Sequence, residues 1–191
     1  EETDNRFESE LSQLTECPKN AAGKDVRRLM IERVGILRQL STTKIDFPHR
    51  TFQEYLAARE AVAADDFGLL VKNAHEDQWR EVVVLAAGLI DKPKAAERFI
   101  INLIECGDDE KKHQGALYIV AASALETVVT LPEGNDLEKT VSHRLKTIVP
   151  PSNVSAAKDL AVAGDLVVRH LQYDAKWKVT QKTSAIRALT L

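Results

Sequence analysis

Apolar residues at helical spacing, separated by short breaks, are the feature that most constrains the fold of this chain. From Asp65 onward the intervals between apolar residues are those of one face of an α-helix. The stripes are Trp79, Val82, Val83, Ala86 and Leu89; Phe99, Ile100, Leu103 and Ile104; Leu117, Val120, Ala121, Ala124 and Val128; Leu137, Val141, Leu145 and Ile148; and Ala157, Leu160, Ala161, Gly164, Val167, Val168 and Leu171. The spacing predicts helices throughout, with residues 157–171 as one helix and a last helix that holds Ile186 and Leu189.

Proline and small residues mark where these helices begin, end and approach one another. Pro93 lies near a helix start, and the pair Pro150-Pro151 predicts a stop because proline removes a backbone donor and clashes with the preceding turn. Small residues cluster at 86–88, 121–123 and 161–164. Helix pairs that recur about every 40 residues are typical of HEAT-like arrays. We therefore predict stacked antiparallel helix pairs, and an irregular helical bundle is the alternative.

The N-terminal part is predicted to contain two helices before a β-hairpin. Apolar spacing indicates a first helix over residues 5–16. Asp25 is the predicted N-cap of a second helix, since a side-chain oxygen there can accept from the first backbone N–H groups. Gly35 is predicted to end it. The β-prone runs 35–41 and 45–47 then flank the polar turn around Lys44 and predict the hairpin.

An amphipathic helix is predicted directly after the hairpin. Thr51 and Glu54 have the spacing of a capping box, in which the threonine hydroxyl accepts from the Glu54 N–H and the glutamate reaches back. Phe52, Tyr55 and Leu56 are predicted to form the buried face of this helix. None of them is assigned a chemical role.

Residues 47–58 read Phe-Pro-His-Arg-Thr-Phe-Gln-Glu-Tyr-Leu-Ala-Ala, which is the most specific motif of the chain. The motif resembles the end of the winged-helix region in NACHT-type signalling NTPases, the STAND family that includes animal NLR receptors and bacterial defence proteins. The resemblance is strongest over about residues 34–90. It implies the tail of a winged helix, followed by helical repeats, in a nucleotide-gated switch.

The resemblance also implies a role for His49. The matching histidine of the family donates a hydrogen bond to the β-phosphate of ADP and so holds the resting state closed. ATP or ADP and Mg²⁺ would then belong to the parent protein, with the upstream NACHT domain as partner, and this segment would carry no cofactor of its own. The alternative interpretation is a histidine that only fills the junction between hairpin and helix.

Composition and charge narrow the classes of partner. The 191 residues carry a net charge of −3, and general affinity for nucleic acid needs a basic surface. The Lys24–Lys44 region is the most basic, but DNA contact is not favoured there because apolar residues and Glu32 interrupt it. The sequence has two isolated cysteines and no signal peptide. Its apolar runs are much shorter than the roughly 20 residues of a membrane-spanning helix. A cytoplasmic protein without membrane contact is therefore expected.

Motifs for catalysis are missing from the sequence. Ala22-Gly23-Lys24-Asp25 lacks the first glycine and the hydroxyl of a P-loop, and the histidines do not have the spacing of a metalloprotease site. His75-Glu76-Asp77 is interpreted as a solvated helix start. An enzyme of unknown type is therefore the least favoured interpretation, and no catalytic or metal-binding residue is predicted.

The predicted fold class is mainly α, with a partial winged helix and a short β-hairpin at about 35–47, followed by HEAT-like antiparallel helix pairs in an α-solenoid. The predicted domains are a winged-helix-like regulatory segment, 1–64, and a helical-repeat domain, 65–191. The predicted function is that of a non-catalytic regulatory and sensor segment of a NACHT-type protein in bacterial defence, whose repeats contact a protein or ligand or self-associate. The alternative is a free-standing helical-repeat adaptor with no NTPase.

Overall fold

The computed structural model describes residues 22–41, 44–161, 164–171 and 176–190, together with Asn5 and Ser9. The predicted first helix, residues 5–16, lies almost entirely outside the described residues, as does Cys17. Within them the chain is mainly helical with one two-stranded antiparallel sheet, which confirms the prediction of a mainly α fold with a short hairpin. The chain divides into two compact units, Glu1–Gln53 and Glu54–Leu191. The domain assignment 1–64 and 65–191 stays a prediction.

In the first unit, helix α1 (Gly23–Leu29) continues directly into a π-helical turn, Met30–Val34. Gly35 ends this turn as predicted, with a φ of 67° that glycine adopts without steric cost. The predicted N-cap is wrong, because Ala22 occupies the cap position and Asp25 lies inside the first turn. A carboxylate in the first turn still interacts favourably with the positive end of the helix dipole.

The predicted hairpin is confirmed as strands β1 (Arg38–Gln39) and β2 (Ile45–Asp46), with Arg38 opposite Asp46. The two side chains of that pair form a bidentate ion pair, with Nε to Oδ1 at 3.1 Å and Nη2 to Oδ2 at 2.7 Å. Hydrogen bonding from the guanidinium holds the pKa of Asp46 below its usual range. The ion pair joins the two strands across the hairpin.

Helix α2 (Arg50–Ala63) follows the hairpin, but two details of its prediction are wrong. It begins one residue before Thr51, so Thr51 lies within the first turn and cannot be the N-cap of a capping box. Its buried residues are alanines, Ala58 and Ala61, whereas Phe52, Tyr55 and Leu56 are 45, 41 and 40% exposed. Because alanine side chains are small, the backbone of α2 lies close to the hydrophobic core that contains Ala58 and Ala61. The side chains of Phe52, Tyr55 and Leu56 lie on the exposed side of the helix.

The second unit consists of helices, and two of their predicted boundaries agree with the structure. Asp66 caps the first of them, where its Oδ1 accepts from the Leu69 N–H at 3.2 Å, and Pro93 opens another, as predicted. The helix before Pro150-Pro151 ends at Ile148, which confirms the predicted stop. The helices are α3 (Phe67–Asn73), α4 (Asp77–Leu89), α5 (Pro93–Asp109), α6 (Gln114–Thr127), α7 (Leu137–Ile148), α8 (Val154–Ala161), α9 (Asp165–Val168) and α10 (Val179–Thr190).

The core of this unit is built around α6, which packs against α4, α5 and α7. Helix α3 packs against α4 and α5, and α10 packs against α8. Most partners are therefore one or two helices apart along the chain, as stacked helix pairs require. The four predicted stripes between Trp79 and Ile148 all lie in the hydrophobic core or pack against it. Helix α6 is buried on nearly every side, at Leu117, Tyr118, Ile119, Val120, Ala121, Ala122 and Ala124.

The predicted single helix over residues 157–171 is wrong. Helix α8 ends at Ala161, residues 162–163 are outside the described residues, and Gly164 has a φ of 79°, which no α-helix contains. The Glu126 carboxylate lies against Gly164 so closely that an added Cβ would overlap it. Its Oε1 accepts from the Leu166 N–H at 2.7 Å, so Glu126 caps the short helix α9. The start of α9 is thus bound by a side chain 40 residues earlier in the sequence.

The predicted last helix exists as α10, but its two expected apolar residues do not face the core. Ile186 is 62% and Leu189 50% exposed, whereas Ser184, Ala185 and Ala188 are buried. Residues 184, 185 and 188 also have helical spacing. The smaller side chains therefore occupy the packed face.

Candidate functional site

His49, the residue singled out by the sequence, lies between strand β2 and the first residue of α2. Its side chain is exposed. Its ring centre lies 6.1 Å from that of Phe52, with the two planes at 59°. Its carbonyl oxygen accepts from the Phe52 N–H at 3.1 Å, which fixes the backbone at the start of the helix. The structure thus fixes the backbone at this junction and leaves the imidazole exposed to solvent.

Position and chemistry together suit His49 to an anionic ligand. An imidazole N–H can donate to a phosphate oxygen, and hydrogen bonds to charged groups are shorter and stronger than neutral ones. The first N–H groups of a helix such as α2 also favour negative charge. Gly23 and Lys24, which the sequence does not predict to form a P-loop, lie in the first turn of α1.

A polar cluster that the sequence did not reveal joins α5, α6 and α7. Arg144 donates to both carboxylate oxygens of Asp108, at 2.8 and 2.7 Å. Tyr118 donates its hydroxyl hydrogen to Asp108 Oδ1 and accepts from Gln114 Nε2 at 2.9 Å. The hydrogen bonds from Arg144 hold the pKa of Asp108 below its usual range, while burial raises the pKa of Tyr118. Since the members satisfy one another, the cluster stabilises the helix packing.

Ser142 and His170 form a hydrogen bond of 2.7 Å between Oγ and Nε2. The pair has the residue types of a catalytic dyad, but its electrostatics oppose that role. Burial lowers the pKa of His170, and the charges of Lys146 and Arg169 lower it further. A general base must become an imidazolium, and these neighbours disfavour that form. The pair is therefore a link between α7 and the residues that follow α9.

Because of His170, the free energy of unfolding is expected to decrease as the pH is lowered. In the unfolded chain this group titrates at its ordinary pKa of 6.5, whereas in the folded protein its pKa is lower. Below about pH 6.5 the unfolded state thus binds more protons, and the free energy of unfolding decreases as the pH falls. Urea unfolding across this range should show a shallower pH dependence for His170→Gln than for the unchanged protein. His143→Gln, at an exposed position, is the control, and equal slopes for His170→Gln and the unchanged protein would contradict the assignment.

A cleft of about 630 Å³ opens beside α6, α7 and α9. Leu125, Leu131 and Leu166 form the apolar part of its lining. Glu138 and Arg169 close one side with an ion pair of 2.8 Å. The volume is within the usual range for small-molecule sites, but the lining holds no arrangement of catalytic groups.

Histidines of the second unit form one unexpected contact. The rings of His75 and His113 lie with their centres 4.3 Å apart and their planes at 40°. His75 follows α3, and His113 is the N-cap residue of α6. Helix α4 begins at Asp77, as expected for a helix start at His75-Glu76-Asp77. Among the described residues, no group of three or more His, Cys, Asp or Glu side chains is placed to hold a metal ion.

Comparisons with models of known protein families, with curated proteins and with solved structures give no match to this chain. The resemblance to NACHT-type proteins that residues 47–58 suggest therefore stays a prediction. In the part of the chain that the structure describes, no helix is both long and apolar enough to cross a membrane.

Proposed function

We propose that this chain is a non-catalytic regulatory and scaffolding segment of a NACHT-type nucleotide-gated signalling protein, with bacterial defence as the setting that the motif implies. The observation that supports the proposal best is the junction of hairpin and helix. It holds an exposed His49 at the start of α2, where a phosphate brought by a neighbouring domain can reach it. The helices of the second unit supply the surface for a protein partner or for self-association.

The proposed role of His49 is to stabilise the resting state. A hydrogen bond from the imidazole to the β-phosphate of ADP contributes about 1.5–3 kcal/mol. A contact made in only one of two states shifts their equilibrium by roughly tenfold or more at this energy. The segment would therefore bias the switch toward its closed form while it performs no chemistry itself.

Binding of the nucleotide is assigned to the upstream NACHT domain, together with Mg²⁺. One histidine and one helix start do not replace the backbone cradle and lysine of a P-loop. Calorimetry on this chain alone should therefore show no ADP binding. Measurable affinity for ADP would mean that the segment has a nucleotide site of its own, which would contradict the assignment of nucleotide binding to the upstream domain.

The central test is His49→Ala in the intact parent protein. We expect its affinity for ADP to fall about tenfold and its basal signalling activity to rise, because the resting state loses one contact. Nucleotide dissociation and basal activity are the measurements. His143→Ala changes an exposed histidine of the other unit and should leave both unchanged. Unchanged ADP affinity and unchanged basal activity in His49→Ala would refute the proposed role.

A helical-repeat adaptor without an NTPase is the second candidate. It is favoured by the second unit, Glu54–Leu191, which is compact and has its own hydrophobic core. Sequencing the gene upstream of the codon for Glu1 discriminates between the two, since an encoded P-loop supports the NACHT proposal and its absence supports the adaptor.

A further inference from the structure

We propose that His75 and His113 form a binding site for a divalent transition-metal ion, with Cu²⁺ or Ni²⁺ as the ion that fits best. The two imidazoles come from separate elements, and their ring centres are 4.3 Å apart. Both side chains are half-buried, so each remains accessible from one side. Imidazole nitrogen is the preferred protein ligand of these metals.

One hydrogen bond holds His75 in the tautomer whose Nε2 is free to bind a metal ion. Its Nδ1 lies 3.1 Å from the carbonyl oxygen of Lys72. A carbonyl oxygen can only accept, so Nδ1 carries the hydrogen, and in the neutral ring Nε2 presents a lone pair. A ligating histidine is commonly held by such a bond from its other ring nitrogen, which fixes both tautomer and ring direction.

The separation of the rings selects the coordination geometry. A metal bound at about 2.1 Å from nitrogen lies roughly 3.2 Å from the centre of the ligating ring. Two ring centres 4.3 Å apart then subtend roughly 85° at the metal. This is close to the right angle between neighbouring ligands in square-planar and octahedral sites, which Cu²⁺ and Ni²⁺ adopt, whereas a tetrahedral site would need about 5.2 Å. The hydrogen bond to Lys72 fixes the His75 ring, so it is the soft χ2 rotation of His113 that directs its lone pair at the point faced by His75 Nε2.

The backbone on both sides is already fixed before a metal binds. The His113 N–H donates to the Glu110 carbonyl at 2.9 Å, and the Glu76 N–H donates to the Asn73 carbonyl at 2.9 Å. A bound ion would therefore link the turn after α3 to the start of α6 with little further ordering.

The surroundings restrict the class of ion. Lys111 and Lys112 precede His113, and the neighbouring Glu76 accepts from Gln78 Nε2 at 2.9 Å. The site therefore depends on its two nitrogens, with water in the other positions. Mg²⁺ and Ca²⁺, which take oxygen ligands, are not expected to bind.

The test titrates the full chain with Ni²⁺ and with Cu²⁺. We expect Ni²⁺ to raise the thermal midpoint, because an ion that binds only the folded state stabilises it. Electron paramagnetic resonance of the Cu²⁺ form should show two coordinated nitrogens. His75→Ala and His113→Ala should each weaken binding about tenfold or more, while His143→Ala, at an exposed histidine outside the pair, should not.

Three outcomes would overturn the proposal. The resonance spectrum could show a single coordinated nitrogen, both single variants could keep their metal affinity, or His143→Ala could lose as much affinity as they do. The resonance measurement needs no variant, so the proposal stays testable even where a substitution impairs folding. His75→Gln and His113→Gln provide milder replacements of similar polarity.

Discussion

Replacing Phe99 by alanine is expected to lower the free energy of unfolding of the Glu54–Leu191 unit by about 3–5 kcal/mol. Phe99 is 1% exposed in the middle of α5, and its ring packs against Phe67 with centres 5.7 Å apart. The truncation removes apolar contacts and leaves a cavity that neighbouring helices cannot fill without moving. Since whole domains are stable by only about 5–15 kcal/mol, the variant should be close to unfolding.

Urea unfolding followed by circular dichroism measures this loss. Phe99→Leu keeps most of the volume and should lose much less. Val129→Ala removes apolar atoms from a side chain that is 78% exposed and should change stability by no more than about 0.5 kcal/mol. Similar effects of Phe99→Ala and Val129→Ala would show that α5 is not packed as described.

Replacing Gly107 by alanine is expected to destabilise the same unit by about 1–3 kcal/mol, although alanine is the better helix former. An added Cβ would lie 2.8 and 3.0 Å from Tyr118 ring carbons and 3.2 Å from Leu117 Cβ. The Tyr118 ring cannot turn away easily, because its hydroxyl is held by Asp108 and Gln114. Helices α5 and α6 would have to separate.

Gly115→Ala is the matched control for Gly107→Ala. At Gly115 an added Cβ would meet only Ile148 Cγ2, at an ordinary 3.9 Å. This substitution should be neutral or stabilise the unit by up to about 1 kcal/mol, since alanine loses less backbone entropy than glycine. The midpoint of thermal unfolding should therefore be clearly lower for Gly107→Ala than for Gly115→Ala. A gain in stability for Gly107→Ala would contradict the close approach of α5 and α6.

The features predicted correctly from the sequence depend on local rules. The spacing of apolar residues within the stripes that contain Trp79, Phe99 and Leu145 is enough to predict helices and a core, because each stripe marks the buried face of one helix. Gly35 and Pro93 were correctly assigned to helix ends because their backbone preferences are intrinsic. The order of hairpin, His49 and helix was likewise visible in the sequence.

The features that were missed depend on contacts between distant residues. Gly164 fits a helical stripe, whereas in the structure its φ is 79° and the Glu126 carboxylate lies against it and caps α9. The side of α2 that faces solvent was predicted wrongly because large side chains were expected inside, whereas alanines make the closer contact. The pairs Asp108 with Arg144 and His75 with His113 join residues 36 and 38 positions apart, which no local pattern reveals.

The burial of α6 on nearly every side has a consequence for how the second unit folds. A linear array of repeats can fray from either end while the rest stays intact, because each repeat touches only its neighbours. Most of the surface of α6 is apolar and buried, so the loss of α4, α5 or α7 would expose it to water at once. We therefore infer that these four helices lose their structure in a single cooperative step, and that the amide hydrogens of α6 exchange with solvent only through that step.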